Sequence, residues 1–444
     1  MGALYLPEYL FYKEGFYRNM AVYVEGDTIK EIGQESLLSV KYAGADREEW
    51  NHLIMIPGTV NVHNHSFQSL LRGACCDRPF LEWRDQALYK YSPRFRKEDI
   101  YNGALFAFGE MMKYGVTCVS DFFYLHNYGL ESDEMIIQAA KDIGIRLVLA
   151  RTMYDWKGAP EGYVESLEEA VSKTRTLANK YNQKDQMVTV IPAPHSMHAA
   201  SLEMIKAGHS LAKELGTCYH IHVAEEMFEV DQVKNEFNGR TPIEVLDEAG
   251  VVDASMVIVH GVWLKESEIR TLGRKGAKLA YCPSSNMFLA DGITDIPAMR
   301  EAGVLIGLGS DGACSNNRIS IFEEMRMVAL LQKVSTCNSM CLNYKEAFLM
   351  GTENGGKLLQ LPIGKLEEGY KADFVGIQCR DISMQPITEQ GEQILPNLVY
   401  SMQPNAVAKV VINGKLTVDQ HNILTISEQE IINGVQVTMK SISD

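Results

Sequence analysis

The chain lacks the features that would direct it to a membrane, a nucleic acid or an oxidising compartment. No run in its 444 residues approaches the roughly 18 consecutive apolar residues of a membrane-spanning helix. Its start, Met1-Gly-Ala-Leu-Tyr5, has no basic stretch leading into an apolar one, so no secretory signal is expected. The nine cysteines are an odd number and contain no Cys-x-x-Cys pair; Cys75 and Cys76 are adjacent, and adjacent cysteines seldom bridge. This predicts reduced thiols and a cytoplasmic protein. There is no Lys/Arg cluster, and the net charge is −15. An acidic surface of that kind repels phosphate backbones and anionic lipid, so neither nucleic acid nor membrane is an expected partner. Repeats and low-complexity segments are absent too.

What is present points to a large folded unit. Hydrophobic residues make up 46% of the chain, enough for a sizeable core. From about Ile54 to Leu359, short apolar runs alternate with longer amphipathic ones. The runs with strand character are Ile56–Val62, Cys118–Phe122, Arg146–Ala150, Met187–Pro192, Cys218–Val223, Met256–Val259, Lys278–Tyr281 and Val304–Leu308. Helix-like segments such as Ser201–Leu215 and Thr241–Ala249 lie between them. Eight strands alternating with helices predict an α/β fold, a parallel (β/α)8 TIM barrel over residues 56–365. Periodicity does not separate a closed barrel from an open doubly wound sheet. The ends read differently. Residues 20–33 form two strand patterns around a Gly-Asp turn, and residues 372–378 and 406–412 are strand-like. Residues 1–55 and 366–444 are therefore expected to form a small β-sandwich, with a helical tail over the last 20 residues.

The barrel reading has a consequence for chemistry. Active-site groups should gather at the C-terminal ends of the strands. Six of the eleven histidines fall there: His63, His65, His195, His220, His222 and His260. His63 and His65 are one strand period apart, so they share a face and can share an ion. The last strand ends in Gly309-Ser-Asp311. Three histidines and a carboxylate make a plausible site for a borderline divalent ion such as zinc. Water held by such an ion becomes a nucleophile near neutral pH. Glu225, three residues past His222, could face a substrate atom.

These segments resemble the amidohydrolase superfamily. The resemblance is carried by PGTVNVHNH at 57–65, LLRG at 70–73, HVAE at 222–225, HG at 260–261, CPSSN at 282–286, GSDGACSNN at 309–317 and GKLEEGYKADFV at 364–375. Six of these pieces follow one another on the expected strand ends. Within the superfamily the chain looks like the branch of aromatic deaminases and triazine chlorohydrolases, and most like the methylthioadenosine/S-adenosylhomocysteine deaminase group. The resemblance implies that His63, His65, His222 and Asp311 hold the metal, with zinc favoured and iron(II) the alternative. Strand four, Val188–Pro194, has no lysine to bridge a second ion, which suggests one metal. The resemblance makes Glu225, His260 and Asp311 the proton-handling residues of a hydrolytic deamination. It also implies substrate contacts for Glu82 of the Glu82-Trp83 pair, Arg151, His195 and Ser315. His220 has no role in the family pattern and reads as a hydrogen-bonded core histidine.

Two departures stand out. Lys157 is the only cation where amino-acid-binding members carry a further arginine, and His195-Ser-Met-His198 replaces the more usual H-S-P-Y. The expected activity is hydrolytic removal of an amine from a heteroaromatic ring, best an adenosine derivative such as S-adenosylhomocysteine or methylthioadenosine. Guanine or another oxopurine, a pterin, a triazine or formiminoglutamate are the alternatives on the same site. A non-enzymatic scaffold is a remote one, since such relatives usually lose ligands and this chain keeps them. A small molecule is the expected partner, and assembly into a homo-oligomer stays open.

Overall fold

The structure, a computed structural model, describes residues 2–182 and 187–443. Eight short strands lie in two parallel four-stranded sheets. The first contains β1 (Thr59–Asn64), β2 (Val116–Phe123), β3 (Arg146–Met153) and β4 (Val188–Pro194), paired in chain order. The second contains β5 (Tyr219–Val223), β6 (Met256–His260), β7 (Lys278–Tyr281) and β8 (Leu305–Leu308), again in order. Nearly every residue of these strands is buried. That suits parallel strands covered by helices on one side and packed side chains on the other. His222 N donates to His195 O at 2.9 Å, which ties the end of β4 to β5. Asp311 N donates to His63 O at 3.0 Å, which ties the end of β8 to β1.

The connecting helices form where the sequence supplies caps. Ser201 accepts from Met204 N and opens the helix Leu202–Leu215, which ends at Gly216 in a left-handed turn, φ 66°. Its buried face, Met204, Ile205, Gly208, Leu211 and Ala212, repeats at helical spacing. Thr241 and Glu244 form a capping box at the start of Pro242–Glu248.

The chain ends form one mixed nine-stranded sheet. Along its main path the strands run 422–423, 415–419, 407–412, 374–378, 46–57, 3–12, 20–25 and 28–34, and Gly15–Tyr17 pairs with Ala3–Tyr12 at the side. The pairing is continuous, so the hydrogen bonds draw one sheet. The sheet curls until Ile29 N donates to Tyr370 O at 2.9 Å, closing over Trp50, Phe374 and Tyr5. The run expected as a single strand, Ile56–Val62, is divided. Ile56 and Pro57 end the strand Asp46–Pro57 of the large sheet, and β1 begins at Thr59. Gly58 makes the crossing because a Cβ there would lie 2.1 Å from Thr117 Oγ1. The C-terminal helix Glu428–Ser443 packs on the helix Lys97–Lys113, with Thr438 Oγ1 donating to Asp99 Oδ1 at 2.8 Å. No helix among the described residues is long and apolar enough to cross a membrane. All nine cysteines are free thiols.

Candidate metal centre and active-site cavity

Strand ends bring the histidines together. His63 and His65 leave β1, His222 leaves β5, His260 ends β6, and Asp311 follows β8. Ligating atoms of His63, His65 and Asp311 lie within 4.8 Å of one another, as do those of His63, His222 and His260. His65 Nε2 is 3.3 Å and His63 Nε2 3.6 Å from Asp311 Oδ1. All of them are buried.

The proton positions can be worked out from the partners. His65 Nδ1 lies 2.6 Å from Phe122 O, and His222 Nδ1 lies 3.0 Å from His195 O. A carbonyl only accepts, so both Nδ1 atoms carry hydrogen and both Nε2 atoms offer lone pairs. His222 Nε2 is nevertheless only 3.2 Å from His63 Nε2. His63 Nδ1 is buried and has no hydrogen-bond partner among the described residues. Crowded nitrogen lone pairs facing a carboxylate are a donor set that suits a divalent cation. Burial pushes the His63 imidazole down to about 3 and that of His222 well below its usual range, so both stay neutral. Burial opposes the charge on Asp311, but His63, His65 and His260 beside it hold its carboxyl well below the carboxylate range.

Neighbouring residues fix these groups. Asp121 accepts from Ser66 N at 2.6 Å and Asn64 Nδ2 at 3.1 Å, which pins the backbone on both sides of His65. Ser285 Oγ donates to Asp311 Oδ2 at 2.6 Å. Asn286 Nδ2 is 3.1 Å from His260 Nδ1 and 2.9 Å from Asp291 Oδ2. The amide donates to both, which leaves the His260 Nε2 hydrogen toward Glu225 Oε1, 3.3 Å away. Ala224, His260 and Asp311 have φ of 52°, 67° and 58°. Non-glycine residues in the left-handed region gather at functional sites, held there by their surroundings. Glu225 is buried, and Asp291 and Glu229 face it; desolvation and these like charges push its carboxyl well above the usual range. Asp291 itself is pushed up to about 9, chiefly by burial. A carboxyl of raised proton affinity at Glu225 beside one of lowered affinity at Asp311 suits a donor and acceptor pair.

The pair opens on a narrow cavity of about 50 Å³. His65, His222, Glu225, His260 and Asp311 form its floor, with His195 and His198 to one side. Its outer wall is the helix Phe80–Trp83 and the π-helical turn Arg84–Tyr89 that continues it. Trp83 Nε1 anchors this wall by donating to Cys314 O at 3.1 Å.

Of the four expected substrate residues, the structure brings only His195 to the cavity. Arg151 needs correction. A strand alternates faces, and this side chain leaves β3 toward the helices Leu130–Ile143 and Leu167–Tyr181. There it is fully buried, bonded to Asp133 at 3.0 Å and to both oxygens of Glu165 at 2.8 and 2.9 Å. Glu82 also points elsewhere. Its side chain is 39% exposed and meets Gln86 Nε2 at 2.9 Å and Arg78 at 3.2 Å. Adjacent helical residues are about 100° apart, so with Trp83 turned inward Glu82 cannot follow. Ser315 Oγ lies 3.2 Å from Asp311 Oδ2, buried behind the aspartate and outside the cavity lining. Lys157 is exposed and outside that lining. His220 is a core histidine as expected, although neither ring nitrogen has a hydrogen-bond partner among the described residues. Sequence reasoning missed the tyrosines that line the cavity, Tyr89, Tyr124, Tyr154 and Tyr163. They come from separate elements and share no spacing. Asn286 lies inside the C-P-S-S-N segment and could have been singled out there.

The amidohydrolase family model matches residues 54–417. The chain belongs to that family. A 5-methylthioadenosine/S-adenosylhomocysteine deaminase of Pelotomaculum thermopropionicum is 32% identical over 425 residues, 95% of this chain and 94% of its own. A 5'-deoxyadenosine deaminase of Methanococcus vannielii is 34% identical over 411 residues, covering 92% and 93%. Among solved structures, an adenosine deaminase from Xanthomonas campestris with bound zinc superposes with a TM-score of 0.92 over 99% of this chain and 98% of its own. At 24% identity that likeness is one of fold. The family member described here is a hydrolase acting on carbon–nitrogen bonds, with a histidine-rich centre suited to a divalent metal.

Proposed function

We propose that this enzyme hydrolytically deaminates the adenine ring of a nucleoside with a small or thioether 5' substituent. The observation that carries the reading is the convergence of Glu225, His260 and Asp311 within 4.8 Å of one another beside His63 and His65, with the proton affinity of Glu225 raised and that of Asp311 lowered. The two full-length relatives named as deaminases of 5'-modified adenosines support the substrate class. The two parallel sheets are taken as halves of one (β/α)8 barrel over residues 56–365, which the links at His195–His222 and His63–Asp311 support. Residues 1–55 and 366–444 are taken as the second domain, with the curl of the nine-stranded sheet giving it the layers of a β-sandwich.

His63, His65, His222 and Asp311 would hold one divalent ion, zinc by the nitrogen-rich donor set. When bound, it supplies the Lewis acidity that makes water nucleophilic near neutral pH. Asp311 accepts a proton from the attacking water, and His260 orients the attacking oxygen through Nε2. Glu225 gives its proton to the ring nitrogen next to the amine-bearing carbon, which breaks the aromatic π system and lets that carbon become tetrahedral. Asp311 passes its proton to the amine, which leaves as ammonia. The new hydroxyl returns a proton to Glu225 as the ring carbonyl forms, so both acids are reset. Pockets for small molecules typically span roughly 300–1,000 Å³. At about 50 Å³ the cavity is smaller than that, so binding a nucleoside requires its lining to shift.

A panel of 5'-modified adenosines, guanine, pterins, triazines and formiminoglutamate, monitored for ammonia and chloride, tests the reading. Ammonia from the adenosines with the matching inosine product is expected. Turnover confined to another member of the panel would overturn the substrate class and leave the metal hydrolase standing.

A further inference from the structure

His198 marks a departure from the family pattern, and the structure gives it a partner. Its ring lines the cavity beside His195, with centroids 5.7 Å apart, and its Nδ1 lies against Glu229 Oε1. Glu229 is 5% exposed, and its other oxygen accepts the backbone N–H of Glu225 at 2.9 Å. Ser196 Oγ stands between the two histidines, 3.0 Å from His198 Nδ1 and 3.0 Å from His195 Nδ1.

One order of the protons satisfies every contact in this chain. Burial works against the charge of Glu229, but His198 and two backbone N–H groups keep the carboxyl ionised, below its usual range. A carboxylate only accepts, so His198 Nδ1 carries the hydrogen. Ser196 Oγ shares that hydrogen as an acceptor, and its own hydrogen turns to His195 Nδ1. An imidazole that accepts at Nδ1 carries its hydrogen on Nε2. His195 Nε2 has no hydrogen bond to a described residue and belongs to a ring that lines the cavity.

We propose that Glu229 and His198 are positioning residues that lock His195 as an Nε2–H donor, so that the ring deaminated here must present an accepting nitrogen to it. This rests on the adenine-nucleoside reading above. Within an adenine, Glu225 takes the nitrogen beside the amine-bearing carbon. His195 stacks on His222 at 4.9 Å, close to the reacting centre, which favours N7 over the more distant N3.

The test compares an adenine nucleoside with its 7-deaza counterpart, in which the N7 acceptor is replaced by C–H. Wild-type enzyme should favour the purine by about tenfold in kcat/KM, the scale of one hydrogen bond. His198→Ala should erase the preference, mainly through KM. His198→Asn, whose amide keeps an N–H at the Nδ1 position, should restore it. Melting temperature and metal content check that both variants fold and load. A readout independent of turnover is ¹⁵N NMR of histidine-labelled protein, where His195 should show a protonated Nε2 and a bare Nδ1 that mix in His198→Ala. Equal losses on both nucleosides, or a protonated His195 Nδ1 in the wild type, would overturn the lock. Wild-type enzyme that releases ammonia from neither nucleoside would overturn the substrate reading and its N7 contact, while the NMR result still decides the lock.

Discussion

Two buried constellations of charge flank β3, and they differ in one respect. On the helix side, Arg151 is enclosed by Asp133 and Glu165, and Lys173 bonds Glu165 at 2.9 Å. Each of the three guanidinium nitrogens donates to a carboxylate, and the side chain is buried away from the active-site cavity. On the other side, His63, His65, His222 and Asp311 crowd lone pairs together, and burial and neighbouring carboxyls raise the proton affinity of Glu225 beside them. Burial and charge are common to both. What separates them is surplus polarity facing an opening. The first is held chiefly by its own ion pairs and supports the fold, whereas the second offers its donors to something brought from outside.

Perturbing the metal side should give the largest effect. His222→Ala removes a donor from the floor of the cavity and should lose bound metal and activity together, read by elemental analysis and ammonia release. Arg151→Met tests the opposite side. It leaves Asp133 without its guanidinium and should cost about 3–5 kcal/mol of stability. Chemical denaturation measures this, while kcat/KM per folded molecule stays close to wild type. A large kinetic defect with unchanged stability would make the helix-side cluster functional after all.

Glu225→Gln should keep metal and fold and lower kcat by roughly 10²-fold. Its raised proton affinity also fixes the sign of the pH dependence. The working form is protonated, so kcat should fall as pH rises through the raised value, and that limb should vanish in Glu225→Gln. The smallest effect belongs to Glu82→Ala. An exposed contact with Arg78 is worth about 0–1 kcal/mol, and kcat/KM on nucleosides should move less than about twofold. A tenfold nucleoside-specific loss would return Glu82 to the substrate.

Much of this contrast was legible before the structure. Strand ends could be placed to within a few residues, because buried parallel strands are continuous apolar runs with polar residues only where they stop. His-x-His at 63–65 carried its own geometry in the two-residue strand period. Arg151 was misread because its position in the chain matches a motif, while the face of β3 it occupies depends on which residues point into the sheet interior. Glu82 depends on the same kind of detail, with one helical residue's rotation deciding between cavity and solvent. The strand Ala3–Tyr12 escaped notice because Pro7 interrupts it, and the pairing is irregular just after that residue. The tyrosines lining the cavity were invisible because they meet only in three dimensions.

The central claim is that this metal centre exists to release ammonia from an adenine nucleoside. Metal-analysed protein is incubated with a 5'-modified adenosine before and after chelation, and ammonia and the inosine product are quantified. The account predicts equal amounts of both, loss of turnover with the metal, and recovery when about one equivalent of zinc is returned. Undiminished turnover after the metal is gone, or no turnover of any adenine nucleoside by fully loaded protein, would contradict it.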